Sequence, residues 1–414
     1  MLPGIYNKGH MIKKTLLFLY SPKNRLSMNA LLGALYASSL WERTRVVLCT
    51  TEEEVLTSFA HQSGVSLLVL SSMTPEKERR QRLLQDSLHH PDVFTCCGGP
   101  HATALPQDFA PWSTFLVQGE GEVTFLTIVQ AFLEGTLPSS PQTIKGERAH
   151  LDRFPSFPYH LGFLGPIEIS RGCPFGCAFC QTPAIFGRTM RHRSLESILE
   201  HVRGMMHHRE RVDLRFVTPN AFAYGSSDGR RPNIEALENL LGGLRKLLGR
   251  KGRIFFGSFP SEVRPEFVSE EILHLVRQYA DNRSIVIGAQ SGSQRLLSLM
   301  GRGHTPEDVL SACETSIRLG FQVYVDFIFG CPEETEEDLR TTAGFIEKLV
   351  RLGAIVHAHT FLPLPGTPWG ERTGTPIPRW MRQFLGKLAR EGKLRGQWQT
   401  QERMAREFRL SEER

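Results

Sequence analysis

Over the first third of the chain, short apolar runs alternate with amphipathic stretches long enough to form helices. Residues 16–20, 45–49, 67–70 and 93–96 are such runs, with a shorter fifth at 115–117. Apolar runs of this length predict buried strands, and the segments between them predict connecting helices. This alternation predicts a parallel sheet with helices on both faces, a doubly wound, Rossmann-like arrangement. Ligands of such a sheet bind at the carboxyl ends of its strands. Between 137 and 165 the alternation stops, and Pro138, Ser139, Ser140, Pro141, Pro155 and Pro158 accumulate, which predicts a linker. A second series follows at 167–170, 214–217, 254–257, 284–287, 323–328 and 355–359. Six strands separated by helices predict a partial (β/α)6 barrel whose chemistry sits on the loops at the strands' carboxyl ends. After Gly370 the chain is charged and reads as helical. The expected α/β organisation is a Rossmann-like domain over 1–136, a linker over 137–165, a barrel over 166–370 and a short helical tail over 371–414.

Composition agrees with two packed domains. The chain has 414 residues, 40% of them hydrophobic and 22% charged, more than one ordinary core accommodates. Its formal charge of +6 is spread along the sequence, and solvated helix faces explain it as well as nucleic acid does, so nucleic acid is not an expected partner. The apolar stretch within 11–20 is only about six residues, shorter than a secretory core. Ser21, Pro22 and Lys23 follow it in place of a small-residue cleavage site. No run approaches the ~18 apolar residues of a membrane span. A cytoplasmic protein without membrane contact is expected, in which the eight cysteines are thiols or metal ligands.

Three of those cysteines stand together. Cys173, Cys177 and Cys180 lie in one compact segment directly after the first strand of the second series. Iron–sulfur clusters take thiolate ligands and normally four of them, so three at this spacing leave one iron open to an exogenous ligand. A three-cysteine zinc site is the competing reading, but zinc prefers four ligands in paired motifs, and no second pair or nearby histidine partner completes one. Cys49, Cys96, Cys97, Cys313 and Cys331 lie in apolar or helical stretches and read as buried hydrophobes.

The C-x3-C-x2-C segment after the first strand of a six-strand βα series resembles the radical S-adenosylmethionine (SAM) superfamily, over most of residues 167–370. The resemblance implies a [4Fe-4S] cluster on Cys173, Cys177 and Cys180, SAM bound to the open iron, and a cellular reductant such as flavodoxin or ferredoxin. Reduction of the cluster would cleave SAM to a 5′-deoxyadenosyl radical. Gln290 and Ser291, after the fourth strand, match positions that contact SAM in related proteins, although Ser291 also suits a helix cap. Gly330 matches the fifth-strand motif bordering the adenine, where a glycine permits close approach. Glu334 belongs to that motif, and Thr335 with Asp338 reads as a helix start. Where the family often has Gly-Gly-Glu after the second strand, this chain has Thr218, Pro219 and Asn220, with Asn220 as a substitute. Glu262 and Arg264 after the third strand could reach SAM or substrate, or form a loop salt bridge. His357 and His359 share one strand face, where a metal role competes with ordinary hydrogen bonding.

The first series resembles the cobalamin-binding domain found ahead of many radical SAM barrels. Gly98, Gly99 and His101 after its fourth strand, and Gly119, Glu120 and Gly121 after its fifth, match that domain's loops in order and spacing. Ser71, at the third strand's end, is positioned by the same resemblance to hydrogen-bond the corrin's nucleotide tail. The first loop, from Ser21 to Ser27, lacks D-x-H-x-x-G and offers no histidine as lower cobalt ligand. A degenerate domain that binds no corrin is the bland alternative.

The resemblance implies an enzyme that transfers a methyl group to an unactivated carbon of a small metabolite. Methylthio transfer to RNA or protein is a second expectation, disfavoured because no further cysteine cluster for a sulfur donor is evident. A non-catalytic cobalamin or redox sensor is a third. Tyr224, His304 and Trp398 are candidates for the substrate pocket.

Overall fold

The structure is a computed structural model, and it describes residues 5–6, 14–61 and 64–412. Met11 to Lys13, the start of the segment weighed as a leader, lie outside the described residues. The chain divides into two compact units, 1–165 and 166–414.

The first unit is built on a seven-stranded sheet of β1 (Ile5–Tyr6), β2 (Thr15–Leu19), β3 (Arg45–Cys49), β4 (Ser66–Ser71), β5 (Val93–Gly98), β6 (Phe115–Gln118) and β7 (Gln142–Lys145). Their order is β1-β3-β2-β4-β5-β6-β7. Every pairing is parallel except β1 with β3. β2 and β4 are buried along their whole lengths, which explains why they read as unbroken apolar runs. The helix Glu122–Glu134 covers the sheet with Phe125, Ile128, Val129 and Phe132, and Gly135 ends it in the left-handed conformation.

The expected linker is a correction. β7 lies inside 137–165 and extends the sheet beside β6. Farther along, Pro155 packs so closely on the helix Arg25–Tyr36 that a Cβ at Gly33 would stand 2.3 Å from its carbonyl oxygen. The 137–165 stretch is therefore part of the first unit's fold.

The second unit carries the remaining strands: β8 (Ile167–Glu168), β9 (Ser170–Arg171), β10 (Arg191–His192), β11 (Val212–Leu214), β12 (Phe216–Val217), β13 (Gly252–Ile254), β14 (Ser284–Gln290), β15 (Gln322–Phe329), β16 (Ile355–Thr360) and β17 (Leu394–Arg395). β12 pairs with β8, β11 with β13, and β14-β15-β16-β17 form a continuous parallel sheet. Val286 N–H to Gly257 O, at 3.0 Å, joins the β13 segment to β14. The six predicted strands are thus present as a partial barrel.

Its tail is not merely helical. β17 adds a seventh parallel strand beside β16, followed by the helix Trp398–Glu412. Along β15 and β16 the side chains alternate: Val323, Val325, Val356 and Ala358 are buried, while Tyr324, His357 and His359 are half-buried on the other face. That second face looks into the barrel, and it is polar where a closed barrel would be filled with aliphatic residues.

Candidate functional site

The cysteine loop leaves the barrel at β9 and returns at β10, and these two strands pair antiparallel. Gly172 opens the loop at φ +83°, where a Cβ would lie 2.3 Å from Thr189 O. Backbone bonds then fix the loop: Cys173 N–H donates to Gly187 O at 3.1 Å, Cys180 N–H to Cys177 O at 3.1 Å, and Ala178 N–H to Met300 O at 2.9 Å. Cys177 is buried, and Cys173 and Cys180 are half-buried. Burial pushes the Cys173 and Cys180 thiols up.

Two buried arginines converge on Cys177. Arg302 Nη1 donates to its sulfur at 3.6 Å and Arg264 Nη1 at 3.9 Å. Arg302 also holds Gly288 O at 2.7 Å, while Arg264 holds Arg302 O at 2.9 Å and Glu266 at 2.5 Å. The Arg264 guanidinium lies 3.5 Å over the Phe175 ring. Burial, ahead of the neighbouring Arg302 charge, lowers the Arg264 pKa. Arg302 Nε is buried without a partner. Two buried cations against one carboxylate leave a positive balance beside the cysteines, which suits an anionic thiolate-bound group. The three thiols therefore fit an iron–sulfur cluster in both donor type and local charge.

The structure locates each of the other expected barrel residues. Asn220 is buried, and its Nδ2 has no hydrogen-bond partner. Gln290 sits at a bulge at the end of β14 with φ +74°, an unfavourable conformation for a residue with a side chain and one that tends to mark functional sites. Ser291 Oγ is within 3.2 Å of Thr342 Oγ1 and accepts from Ser293 N–H at 3.0 Å, so its hydroxyl braces the following helix. Gly330 has φ +73°, and a Cβ there would stand 2.9 Å from Thr375 O. Glu334 is buried and accepts from Gly330 N–H at 2.6 Å and Cys331 N–H at 3.3 Å. It staples the turn after β15, and burial pushes its carboxyl up to about 8.

Three expectations for the substrate pocket are corrected. Tyr224 is buried and donates its hydroxyl to Arg193 O at 2.8 Å. His304 is buried with Nε2 against Ala289 O at 3.1 Å, and burial, with Arg302 and Arg264 nearby, lowers its pKa to about 3. Trp398 is buried and its carbonyl accepts from Thr360 Oγ1 at 2.8 Å. Tyr224 and Trp398 are spent on packing and local hydrogen bonds, whereas His304 keeps a buried Nδ1 without a hydrogen-bond partner. Glu262 and Arg264 do not pair with each other either, because Arg264 takes Glu266. Glu262 instead lines a barrel cavity of about 1020 Å³ together with Tyr324 and His357. Although open to that cavity, its carboxyl is enclosed by the barrel, and burial, ahead of the Asp326 charge beside it, pushes it up to about 8.

In the first unit, Ser71 Oγ is buried without a partner, and a Cβ at Gly99 (φ +99°) would come within 2.4 Å of it. Gly98 O accepts from Ser72 N–H at 2.8 Å. Gly119, at φ +85°, takes Thr103 Oγ1 on its N–H at 2.9 Å. Gly121 begins the helix Glu122–Glu134. Two expectations change here. His101 is buried with Nδ1 at 3.1 Å from Thr74 Oγ1 and Nε2 at 2.8 Å from Asp108, so both ring nitrogens brace the loop. Glu120 is buried and accepts from Ala149 N–H at 3.1 Å, which ties down the segment once expected to be a linker. In the first loop, Asn24 donates to Leu19 O at 2.8 Å and accepts from Ser21 N–H at 2.8 Å, a closed polar turn.

The sequence signals missed Arg302, whose approach to Cys177 depends on a fold-back of 125 positions. Its flanking Gly301 and Gly303, both at positive φ, were the available hint.

Comparison with known proteins places this geometry among relatives. Residues 167–346 match the sequence model of the Radical SAM superfamily. An uncharacterized methyltransferase of Pyrococcus horikoshii is 26% identical over 294 residues, 62% of this chain and 58% of that protein. A putative methylthiotransferase of Methanocaldococcus jannaschii is 30% identical over 243 residues, 56% of this chain and 52% of that protein. The chain thus spans about half the length of the curated relatives it matches. Among solved structures, the radical SAM methyltransferase TsrM of Kitasatospora setae, with cobalamin and a [4Fe-4S] cluster bound, superposes with a TM-score of 0.61 at 17% identity, covering 87% of this chain and 74% of that one. That likeness concerns the fold.

Proposed function

We propose, for a chain whose residues 167–346 match the Radical SAM superfamily, a radical SAM enzyme that carries out cobalamin-dependent methyl transfer to an unactivated carbon of a small metabolite. The observation that carries the reading is the convergence of Arg264 and Arg302 on Cys177, within a loop that also presents Cys173 and Cys180. When bound, the cluster with SAM supplies hydrogen-atom abstraction and a corrin supplies methyl transfer.

The chain's own residues hold and shield these groups. Cys173, Cys177 and Cys180 bind the cluster, and the two guanidiniums stabilise the thiolate form of Cys177 by charge-assisted hydrogen bonds. Asn220, with its unspent Nδ2, and Gln290, held at its bulge, donate to SAM's polar groups, while Gly330 makes room for the Thr375 backbone that packs on the turn after β15. Ser291 and Glu334 act one step back, fixing the backbone on which those contacts depend. A flavodoxin- or ferredoxin-type reductant supplies the electron.

For the corrin, support lies in the first unit. The orphaned Ser71 hydroxyl and the side-chain-free Gly99 beside it, with Gly98, Gly119 and Gly121, leave polar, close-approach backbone at the strands' carboxyl ends. The solved neighbour TsrM binds cobalamin in this fold. In the first loop Asn24 is closed on its own turn.

Anaerobic reconstitution with iron, sulfide and hydroxocobalamin tests the proposal. About four irons and one corrin per chain should survive gel filtration, and reduction with SAM should release 5′-deoxyadenosine. Iron without corrin would remove the cobalamin half of the reading, and zinc in place of iron would remove all of it. The methylthiotransferase relative favours a second reading, methylthio transfer to RNA or protein. Against it, Cys49, Cys96, Cys97, Cys313 and Cys331 are all buried, on strands, a helix and a turn that do not group them into a second cluster. A methylthio product from added sulfide would decide for it.

A further inference from the structure

Away from the cysteine loop, three side chains of β15 and β16 meet on the polar face inside the barrel. Asp326 is the register partner of His357, and His359 follows two residues on, on the same face. Asp326 Oδ1 lies 2.8 Å from His357 Nδ1, His357 Nδ1 lies 3.3 Å from His359 Nε2, and His359 Nε2 lies 3.9 Å from Asp326 Oδ1. One atom from each residue thus forms a triangle whose edges scatter about 3.3 Å. Ligands about 2.0–2.1 Å from a tetrahedral ion stand about 3.3 Å apart, so the triangle has the size of one face of a metal's coordination shell. Among the described residues this is the one trio of histidine, cysteine or carboxylate ligands within 4.8 Å of one another.

As a chain of hydrogen bonds the trio does not close. Thr360 N–H donates to Gln401 Oε1 at 2.9 Å, so the Gln401 amide turns its NH2 toward His359 Nδ1, 3.3 Å away. The proton of a neutral His359 is then on Nε2 and faces His357 Nδ1. That same Nδ1 needs its own proton to donate to Asp326. One nitrogen cannot donate and accept at once. A second observation is independent of the triangle: Asp326 is 2% exposed, its Oδ2 makes no well-formed hydrogen bond, and the buried Glu262 carboxyl stands beside it, a pairing of two buried carboxyls that is costly without a cation.

We propose that Asp326, His357 and His359 form a binding site for one divalent first-row transition ion, with zinc the best fit to a two-histidine, one-carboxylate set. The ion takes lone pairs from Oδ1, Nδ1 and Nε2, which removes the conflict at His357. Three protein ligands leave a coordination position open. His357 and Glu262 line the 1020 Å³ cavity, whose wall also carries Arg215, Arg283 and Arg395. The open position therefore suits a carboxylate or phosphate group of a small molecule held in the barrel. With Nε2 on the metal, the His359 proton moves to Nδ1, and the Gln401 amide must rotate to accept it at the expense of Thr360. A carboxylate at 401 would accept from both, as carboxylates commonly do from the free ring N–H of a metal-bound histidine.

The test uses the full chain with its cluster reconstituted, so that iron content reports the cysteine loop separately from zinc. Zinc is added, excess is removed by gel filtration, both metals are counted, and zinc affinity is measured by calorimetry. The expected result is about one zinc beyond about four irons. His359→Ala and Asp326→Asn should each weaken zinc by about 100-fold while iron is retained. Gln401→Glu, outside the ligand set, should tighten it. Zinc retention no greater in the parent than in His359→Ala overturns the site. If the ligand variants fail to fold, Gln401→Glu decides: tighter zinc upholds the proposal, and unchanged or weaker zinc overturns it.

Discussion

Arg302 bridges Cys177 Sγ and Gly288 O from a buried position, so its charge acts on the cysteine loop with little solvent screening. Hydrogen bonds and positive charge at a ligating sulfur stabilise the more reduced, more negative cluster. Arg302→Met should therefore shift the cluster's reduction potential to more negative values in an anaerobic redox titration followed by electron paramagnetic resonance. A potential that stays put or rises would count against the role given to Arg302. Gly172 is constrained differently. At φ +83° with Thr189 O 2.3 Å from where a Cβ would be, Gly172→Ala has to move the loop, and iron retained after reconstitution should fall to a minor fraction of the parent's.

Glu334 gives a pH signature. Its folded pKa is raised from 4.5 to about 8 by burial, so in that window the folded chain keeps a proton that the unfolded chain releases. Stability contributed below pH 4.5 is lost as pH rises toward 8, at most about 1.4 kcal/mol per pH unit. Glu334→Gln keeps an acceptor for Gly330 and Cys331 N–H, so its melting temperature should gain on the parent's as pH rises through this range. Parallel curves for the two proteins would refute the assignment. The three cysteines were legible as one loop in sequence because their local spacing carries them. Arg302, and the meeting of Asp326 with His357, depend on strand register and chain reversal, which no local pattern encodes.

At the level of elements, Thr335 and Asp338 form the capping box read from the sequence: Thr335 Oγ1 accepts from Asp338 N–H at 3.2 Å and Asp338 Oδ2 accepts from Thr335 N–H at 2.8 Å. Asp338 also takes Ser293 Oγ at 2.6 Å and Arg295. Despite burial, these bonds hold its carboxyl well below the usual carboxylate range. Thr335→Ala should cost about 1 kcal/mol, read as a lower denaturation midpoint, and Asp338→Ala should cost more because it also releases Ser293 and Arg295. Equal losses would show that the links to Ser293 and Arg295 contribute nothing. β7 escaped notice because Gln142–Lys145 is a largely exposed, polar edge strand, and β17 because two residues give no periodicity. The apolar strands were legible because burial on both faces leaves an unbroken run.

On the scale of the whole molecule, the boundary at Gly165 and Pro166 separates the glycine-rich loops of the first unit from all three clustered cysteines. Residues 166–414 expressed alone should load iron and cleave SAM while retaining no corrin after gel filtration. Corrin bound by that fragment would place the cofactor elsewhere. The tail is no appendage to this unit. Gly396 lies so close to β16 that a Cβ would meet Ala358 O at 2.2 Å, and Gln401 and Trp398 hold Thr360 from the last helix. A clone stopped at Gly370, where the sequence pattern fades, would lose the barrel's closing stave and bare the hydrogen-bonding flank of β16 to any passing strand. Such a product should come off a sizing column as aggregate.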